Sequence, residues 1–324
     1  MSTRLKILTL LEENRGKSIS GEYMAGKLDV SRNAVWKAIQ ELRRDGYQIN
    51  ATSSRGYSLA DKNDILSVQG MLPFLHDTEQ ASKIVVHNIV KTTNTTAKEL
   101  AIAGAKHGTV VIANSQTDGR GRYNRTFFSP ADCGIYMSVV LHPAELPFST
   151  PTLITAFAAV SVCNAIENRT GKSLTIKWVN DIFLADKKLC GILTEAVTDF
   201  ESGAIQWIVV GIGINFSTVQ SDFPSNLRDI AISLYANGNA EITRNCLIAT
   251  IINEITCCNA EPSAMLAEYK RRLMMLDKKI TVNSATESFA ATALDIDDTG
   301  RLIVRCENGE IKNLSSGEIG ILAL

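Results

Sequence analysis

The segment Gln116-Thr-Asp-Gly-Arg-Gly-Arg-Tyr-Asn-Arg-Thr-Phe-Phe-Ser-Pro130 is the most informative stretch of the chain. It places three arginines (Arg120, Arg122 and Arg125) beside two glycines and ends in apolar and small residues. Glycine lets the backbone approach a ligand closely, and arginine offers a planar fork of donors that fits carboxylate or phosphate groups. The segment therefore predicts a loop that folds over an anionic ligand. A solvated basic turn is the alternative, because loops are usually polar.

Four other segments, together with this loop, resemble the sequence motifs of biotin–protein ligases. They follow one another in the family's order: Thr92-Thr93-Asn94, Lys177-Trp-Val-Asn-Asp181, Lys188-Leu-Cys-Gly-Ile-Leu-Thr-Glu195 and Gly211-Ile-Gly-Ile-Asn215. Each motif is weak alone, but five in order are specific, and the resemblance extends over nearly the whole chain. The N-terminal part places the chain with the bifunctional members, which also repress biotin genes.

The bulk composition is that of an ordinary soluble globular protein of two or three domains. The 324 residues are 45% hydrophobic and 21% charged, which is enough for a sizeable core. The N-terminus shows no signal-peptide pattern, and no apolar run is long enough to cross a bilayer. The seven cysteines lack CxxC spacing, and Cys257 and Cys258 are adjacent, so we expect reduced thiols. We therefore expect a cytoplasmic protein with no membrane partner.

The net charge of −1 is unevenly distributed along the chain. Residues 1–60 carry ten Lys or Arg and six Asp or Glu, a balance of +4, which leaves −5 for the remainder. A basic N-terminal module on an acidic body fits contact with nucleic acid through the first part only.

The pattern of residues 1–62 predicts a winged helix-turn-helix. Ser20 and Ser31 stand at N-cap positions of a second and a third helix, and Ser53-Ser54-Arg55-Gly56 joins two alternating segments into a hairpin wing. The start of the third helix and the wing are where such modules meet DNA. The DNA-binding residues expected there are Ser31, Arg32, Asn33, Lys37 and Arg55. A helical packing or dimerisation module is the alternative.

The rest of the chain predicts an α+β protein with two further domains. Residues 63–276 alternate strands and helices, and their tight turns favour a mixed sheet over an all-parallel one. Residues 277–324 hold about five short strands separated by turns, a spacing typical of a small β-barrel. The resemblance implies a class II synthetase-like fold for the first of these domains and an SH3-like β-barrel for the second.

Two common nucleotide or metal motifs are absent from the sequence. Gly16-Lys17-Ser18 and Gly171-Lys172-Ser173 imitate the end of a Walker A motif, but the required earlier glycine is Leu11 in one case and Ile166 in the other. The four histidines are scattered and form no metal-ligand pattern. We expect ATP to be bound without a P-loop, and no metal cage built by protein side chains.

The resemblance implies a two-step reaction that uses ATP, biotin and Mg²⁺. The biotin carboxylate attacks the α-phosphate of ATP and gives biotinyl-5′-AMP; a lysine of a biotin carboxyl carrier protein domain then attacks the mixed anhydride and releases AMP. Because the first step brings two anions together, positioned cations should supply most of the catalysis. The same resemblance implies that a homodimer binds the operator DNA of biotin genes.

The matched positions give each candidate residue a role by resemblance. Lys188 would bridge the biotin carboxylate and the α-phosphate, and Arg120 and Arg122 would clamp the reacting groups. Asp181 would orient or deprotonate the incoming amine, or bind Mg²⁺. Biotin contacts are expected from Thr92, Thr93, Asn94, Gln116, Gly119, Arg120, Gly121, Arg122, Lys188 and Gly191. ATP or adenylate contacts are expected from Arg122, Arg125, Lys177, Asn180, Lys188 and Asn215.

The residues alone leave alternatives open for several of these roles. A turn lysine such as Lys188 is normally on the surface, and Asp181 also suits a plain turn. Thr93 and Asn94 equally suit the cap of a helix. At the level of the whole chain, the alternatives are a biotin ligase whose helix-turn-helix does not regulate, a lipoate-type ligase, and a ligand-sensing regulator with an inactive synthetase domain.

The chain also departs from the family pattern at a few positions. Val179 replaces the usual proline, so that the turn before Asn180 lacks a fixed φ. Tyr123 and Asn124 replace a more basic, glycine-bearing stretch, and Phe127 stands where tryptophan is usual. The segment Gln116–Pro130 is called the arginine loop below. The departures bear on the closure of this loop and on the rate of the reaction.

Overall fold

The structure, a computed structural model, describes residues 1–53, 55–148, 150–198, 204–257, 261–283 and 287–321. The chain divides into two compact units. The first comprises Met1–Ser82 with Glu241–Thr250, and the second comprises Lys83–Ala240 with Ile251–Leu324. This division differs from the predicted boundary between residues 62 and 63, since residues 63–82 lie in the first unit. The exact domain boundaries remain a prediction.

The first unit contains the predicted helix-turn-helix and its hairpin wing. Ser20 Oγ accepts a hydrogen bond from Tyr23 N (3.0 Å), and Ser31 Oγ accepts one from Ala34 N (3.1 Å), which confirms both predicted N-caps. Ser54, in the predicted wing turn, lies outside the described residues. The elements of this unit are α1 (Thr3–Glu13), α2 (Gly21–Leu28), α3 (Arg32–Arg44), β1 (Ile49–Thr52), β2 (Gly56–Leu59) and α4 (Val68–Met71).

The core of the first unit forms between α1, α2 and α3. In α3, the buried residues recur at the helical period and leave the opposite side to solvent: they are Val35, Ala38, Ile39 and Leu42. Leu8 and Leu11 of α1 and Met24 of α2 belong to the same core cluster. The N-terminal module therefore has an apolar core of its own.

The segment after the wing is joined to residues 241–250 of the same unit. Asp64 accepts hydrogen bonds from Arg244 at both carboxylate oxygens, 2.8 Å from Arg244 N and 2.9 Å from Arg244 Nε. Asn245 accepts one from Ser67 N (3.0 Å) and donates one to Ile65 O (2.8 Å). These contacts explain why residues beyond the predicted boundary at 62 belong to the first unit.

The second unit is built on a seven-stranded mixed sheet with the order β3-β4-β5-β9-β8-β7-β6. Only the β3–β4 pair is parallel, so the predicted mixed sheet is confirmed. Its elements are β3 (Ile84–Val90), α5 (Thr93–Ile102), β4 (Thr109–Gln116), β5 (Gly134–Leu141), α6 (Pro151–Thr170), β6 (Thr175–Lys177), β7 (Asp181–Leu184), β8 (Lys187–Thr198) and β9 (Ile205–Asn215).

Helices cover the sheet and complete its core. α5 packs on β4, β5 and β9, and α6 packs on β8. α7 (Arg244–Thr256) begins in the first unit and ends in the second, and α8 (Pro262–Arg272) packs on α6. Arg272 Nη1 of α8 lies 2.7 Å from Glu167 Oε1 of α6. The sequence pattern predicts this helix over residues 243–258, and residue 258 lies outside the described part of the chain.

Five antiparallel strands follow α8, as the sequence predicts. They pair in the order β13-β12-β11-β10-β14. The predicted last domain ends at Leu324, and residues 322–324 lie outside the described part of the chain. The strands are β10 (Lys279–Asn283), β11 (Ser288–Ile296), β12 (Leu302–Cys306), β13 (Ile311–Leu314) and β14 (Glu318–Ile321).

Within the described ranges, no helix combines the length and the apolar character needed to cross a membrane.

The turn between β11 and β12 is held by one carboxylate. Asp297 Oδ1 accepts hydrogen bonds from Thr299 Oγ1 (2.7 Å), Thr299 N (2.9 Å) and Arg301 N (3.0 Å), and Asp297 Oδ2 accepts one from Arg301 Nε (2.7 Å). Burial alone would raise the pKa of Asp297, but these bonds outweigh it and lower the pKa to about 2. The turn presents the carbonyl of Gly300, which accepts a hydrogen bond from Trp178 Nε1 (3.1 Å).

Asp297→Asn is therefore expected to destabilise the second unit in a pH-dependent way. At neutral pH the loss should be about 1–3 kcal/mol of unfolding free energy, the usual range for hydrogen bonds to a charged group. Because the folded-state pKa lies below the ordinary value of 3.8, the carboxylate stabilises the fold above pH 3.8, and this contribution is lost as the pH falls toward 2. Urea unfolding at several pH values should thus show the two proteins converging on acidification.

Asp298→Asn is the matched control, since the adjacent carboxylate is exposed. It should leave the unfolding free energy nearly unchanged. An equal effect of the two substitutions, or a difference between wild type and Asp297→Asn that does not shrink with acid, would contradict the assignment.

Candidate active site

One cavity of about 820 Å³ in the second unit gathers most of the predicted site residues. Its wall is formed by the start of α5, the arginine loop, strands β6 to β9 and residues 317–319. The predicted residues that line it are Thr92, Thr93, Asn94, Gln116, Arg120, Gly121, Arg122, Arg125, Lys177, Asn180, Asp181, Lys188 and Gly191. Gly119 and Asn215 are not among the lining residues.

Lys188 is positioned by the β7–β8 hairpin and by a neighbouring segment. Its backbone N–H donates to Ile230 O (2.9 Å), and its carbonyl accepts from Ile232 N (3.0 Å). Its Nζ lies 2.7 Å from Asp181 Oδ1, and the two side chains are 36% and 23% exposed. The cavity wall therefore carries an ammonium group whose carboxylate partner is also within reach of a ligand.

The three arginines of the loop each contact a different part of the second unit. Arg120 Nη2 donates to Asp118 Oδ2 (2.8 Å), and this hydrogen bond lowers the pKa of the Asp118 carboxyl. Arg122 Nη1 donates to Asn180 Oδ1 (3.1 Å). Arg125 forms two 2.6 Å hydrogen bonds with the two carboxylate oxygens of Glu318. The loop therefore makes one contact within itself, at Asp118, one with the turn before β7 and one with β14.

The chain around Tyr123 and Asn124 turns through left-handed backbone conformations, with φ of 56° at both residues. Tyr123 stacks against its neighbour, since the Arg122 guanidinium carbon lies 5.1 Å from the centre of the Tyr123 ring. Glycine adopts such φ values without the steric cost that a side chain adds. Tyr123 and Asn124 therefore hold this turn at a steric cost that glycine would not add.

A hydrogen-bond network links α5 to β4 at the other end of the cavity. Gln116 Oε1 accepts from Thr93 N (2.8 Å), and Gln116 Nε2 donates to Ser129 Oγ (2.9 Å). The residue that caps α5 is Thr92, whose Oγ1 accepts from Thr95 N (2.9 Å). The alternative of Thr93 or Asn94 as the helix cap is therefore wrong: both lie in the first turn of α5.

Asn94 connects this network to the half-buried carboxylate of Glu195, for which the sequence motifs predicted no role. Asn94 Nδ2 donates to Glu195 Oε2 (2.7 Å), and Lys98 Nζ lies 2.8 Å from Glu195 Oε1. Burial would raise the pKa of Glu195, but the hydrogen bonds from Lys98 and Asn94 outweigh it, so the pKa is lowered. Ser138 Oγ, on buried β5, lies 2.7 Å from Asn94 Oδ1. In the sequence, this network is indicated by Ser138, a polar residue within the otherwise apolar strand β5.

Two glycines of β9 allow side chains to lie directly on the strand. A Cβ at Gly211 would collide with Asn94 Oδ1, and a Cβ at Gly213 would lie 2.7 Å from the Phe127 ring. Phe127 also meets Tyr136 edge-on, with 6.4 Å between the ring centres. The end of the arginine loop is therefore packed against the floor of the cavity.

Two predicted ATP-contact residues have structural contacts of their own. Asn180 Nδ2 donates to Ile192 O (2.9 Å), while its Oδ1 accepts from Arg122. Asn215 Nδ2 donates to the carbonyl of Lys188 (3.4 Å). Asn180 thus holds Arg122 at the cavity, whereas Asn215 supports Lys188 from outside the lining. The peptide bond between Trp178 and Val179, one residue further from Asn180, is cis.

The described residues contain no group of three or more His, Cys, Asp or Glu side chains that could hold a metal ion.

Comparisons with known proteins agree with this arrangement. The Biotin/lipoate A/B protein ligase family model matches residues 86–215, an HTH domain model matches residues 3–58, and the Biotin protein ligase C terminal domain model matches residues 275–321. A biotin protein ligase from Aquifex aeolicus, solved in complex with biotin and ATP, superposes with a TM-score of 0.61 at 23% identity. It covers 74% of this chain and 98% of its own, and shows that the fold is shared.

Two relatives match along nearly the full length. The bifunctional ligase/repressor BirA of Bacillus subtilis is 33% identical over 327 residues, which cover 98% of both chains. The Escherichia coli protein of the same name is 29% identical, over 98% of this chain and 96% of that protein. With the helix-turn-helix, the ligase sheet and the C-terminal strands in the same order, the chain belongs to the biotin–protein ligase family, in its bifunctional ligase/repressor branch of the BirA type.

Proposed function

We propose that this chain forms biotinyl-5′-AMP from biotin and ATP, transfers biotin to a lysine of a biotin carboxyl carrier protein domain, and represses biotin genes in response to biotin. The enzymatic part of the proposal rests on one cavity. In it, Lys188 and the loop arginines face the hydrogen-bond network of Thr93, Asn94 and Gln116. One end supplies cations for carboxylate and phosphate groups, and the other supplies amide and hydroxyl groups for a polar ring.

The adenylation step needs cations because it joins two anions. In this proposal Lys188 contacts both the biotin carboxylate and the α-phosphate, so that charge developing in the transition state meets a preformed ammonium group. Arg120, Arg122 and Arg125 bind phosphate and carboxylate oxygens through their paired N–H groups. Each of these cations has a carboxylate or amide partner close by, so the ligand must compete with that partner.

The biotin-binding role is proposed for the opposite end of the cavity. A ureido ring carries two N–H donors and a carbonyl acceptor, and it needs complementary partners when it is buried. Thr93, Asn94 and Gln116 offer hydroxyl and amide groups, and Ser138 and Glu195 hold these side chains in place. Gly191, with Gly121 of the loop, would let the ligand approach the backbone closely, whereas the space beside Gly119 is filled by Ser129 and Phe127.

The carboxylates beside Lys188 fit a magnesium ion held mainly by the nucleotide. Mg²⁺ commonly takes one or two protein carboxylates together with phosphate oxygens and water. Asp181 and Asp229 line the cavity, and one or both would hold the ion together with phosphate oxygens and water. The ion would neutralise phosphate charge, while Lys177, Asn180 and Asn215 are proposed to bind or support the nucleotide.

The competing lipoate-type activity differs in the ligand that drives the first step. Exchange of pyrophosphate into ATP, measured with biotin or with lipoate as the only acid, separates the two. Biotin-dependent exchange supports the proposal, and exchange with lipoate alone would replace it by a lipoate ligase.

Lys188→Met is expected to abolish most adenylate formation without unfolding the protein. The substitution removes the proposed charge at the α-phosphate and keeps the length of the side chain, and such a loss typically slows the reaction ~10²–10³-fold. Biotin-dependent pyrophosphate exchange is the measurement. Lys187→Met, which changes the adjacent lysine of the same hairpin, should retain most of the rate. Near-normal exchange by a folded Lys188→Met protein would rule out the role.

Asp181→Asn is expected to slow biotin transfer more than adenylation. The incoming lysine amine attacks in its neutral form, and a carboxylate that orients it or accepts its proton typically contributes ~10²–10⁴-fold. Single-turnover transfer from preformed biotinyl-5′-AMP isolates this step. Asp186→Asn is the control, because it removes a second cavity-lining carboxylate in the same way. Equal losses in the two half-reactions would instead point to a metal-binding or structural role for Asp181.

The repressor part of the proposal places DNA on the exposed side of α3 and on the wing. Arg32 and Asn33 follow the Ser31 cap directly, where helix-turn-helix proteins meet base edges. Lys37 lies about one turn further on, and Arg55 belongs to the wing. A homodimer would read an inverted repeat. Because the two activities need ATP and DNA in one compartment, the same proposal includes a cytoplasmic location.

Arg32→Ala is expected to weaken sequence-specific DNA binding by about tenfold or more. A gel-shift titration on a fragment from upstream of a biotin gene, with and without biotin plus ATP, measures this. Binding should be tighter with both ligands and should fall steeply with salt. Arg271→Ala removes the same side chain from α8 and should leave binding unchanged. A wild-type protein with no preference over random DNA in either condition would be a ligase whose helix-turn-helix does not regulate.

A further inference from the structure

Trp36 presents a large apolar surface to solvent from the middle of the first unit's third helix. Its side chain is 52% exposed, whereas Trp178 is 2% exposed and Trp207 is half-buried. Tryptophan is strongly buried on average, and exposed apolar surface often marks a contact site. Other side chains of α3 form its buried face, so Trp36 is not part of the core of the first unit.

Apart from the buried Ile39, the neighbours of Trp36 on its face of α3 are polar or basic. Residues three and four apart share a helix face, so Trp36 lies beside Arg32 and Asn33 in the preceding turn and Gln40 in the following one. Arg32, Asn33 and Lys37 are exposed, and Gln40 is half-buried. The indole therefore lies within the surface on which the DNA-binding residues are proposed.

We propose that Trp36 determines base specificity by packing its indole against the 5-methyl group of a thymine in the major groove. The inference rests on the proposed DNA-binding function and adds to it a residue with a different chemistry. Contacts with phosphates, many of them made by arginine and lysine, carry no sequence information. A neutral, flat side chain gains little from phosphate, and apolar contact with a thymine methyl is a direct form of base recognition.

The charge around Trp36 favours DNA over a protein partner. The centre of a protein–protein interface is typically depleted of charged residues. Here two exposed cations flank the indole, and residues 1–60 carry a balance of +4, from ten Lys or Arg against six Asp or Glu. Both features fit a polyanion.

The test removes the two partners of the contact separately. A duplex is first selected from a random-sequence library with wild-type protein, biotin and ATP, and each thymine of one half-site is then replaced by uracil, which lacks only the methyl group. Burial of one methyl group corresponds to about fourfold in affinity. Wild type should lose about fourfold at one or two positions, whereas Trp36→Ala should show no response there.

Trp36→Ala should also bind the selected duplex at least about tenfold more weakly, as is typical of a buried tryptophan contact. Its binding to random DNA and the slope of affinity against salt should stay unchanged, because the phosphate contacts remain. Biotin-dependent pyrophosphate exchange should be that of wild type, which shows that the second unit is intact. Trp36→Phe should keep part of the response to uracil.

Tyr23→Ala is the matched control, because Tyr23 of α2 is 55% exposed. This variant removes an exposed aromatic ring from the same unit and should keep the full response to uracil. A direct readout is quenching of tryptophan fluorescence by acrylamide, with Trp36→Phe as the background. The operator should protect Trp36, and biotin plus ATP alone should not.

The outcomes separate this inference from the function on which it rests. Wild-type specificity and an unchanged uracil response in Trp36→Ala would overturn the role of Trp36 and leave the repressor function in place. Protection of Trp36 by biotin plus ATP without DNA would assign the indole to a protein contact instead, and would likewise overturn it. Failure of wild type to prefer any sequence would remove both the repressor function and this inference, while the ligase activity would stand.

Discussion

The close approach of two side chains to the backbone of β9 determines the shape of the active-site cavity. Gly211 leaves room for Asn94, and Gly213 leaves room for the ring of Phe127. The first contact fixes the start of α5, from which Asn94 reaches Glu195. The second brings the end of the arginine loop down onto the sheet, where Gln116 bonds to Ser129. A methyl group at either glycine would displace one wall of the cavity. Both ends of the site therefore depend on the absence of side chains at Gly211 and Gly213 of β9.

Electrostatics give the cavity its second constraint. Lys188, Arg120 and Arg125 each lie against a carboxylate, and those carboxylates come from β7, the arginine loop and β14 respectively. The ion pairs of Arg120 and Arg125 are exposed and contribute little to stability, so exchanging their carboxylate partners for a phosphate or carboxylate of a ligand costs little. The site thus stays neutralised before the ligand binds, and its cations keep their positions.

Local sequence signals predicted much of the fold, because the interactions concerned are local. Ser20 and Ser31 cap helices through residues three positions away, and Lys188 follows the tight turn between β7 and β8, a kind of turn that was predicted for this domain. Contacts between distant positions carry no such signal. Nothing near Glu318 in the sequence indicates its pairing with Arg125, 193 positions earlier. Likewise Thr92 rather than its neighbours caps α5, because which hydroxyl meets the helix depends on how the chain leaves β3.

The proposed DNA-binding surface and the candidate active-site cavity have no residue in common, and each lies in a unit with a core of its own. Any response of repression to biotin is therefore a coupling free energy between two sites and not a shared contact. Such coupling is reciprocal: if bound adenylate tightens operator binding by some factor, bound operator tightens adenylate binding by the same factor. The ligand must then bind two states of the protein unequally. An acceptor domain that removes the adenylate from the cavity would weaken operator binding to the same extent, so demand for biotinylation and repression are linked through one occupied site.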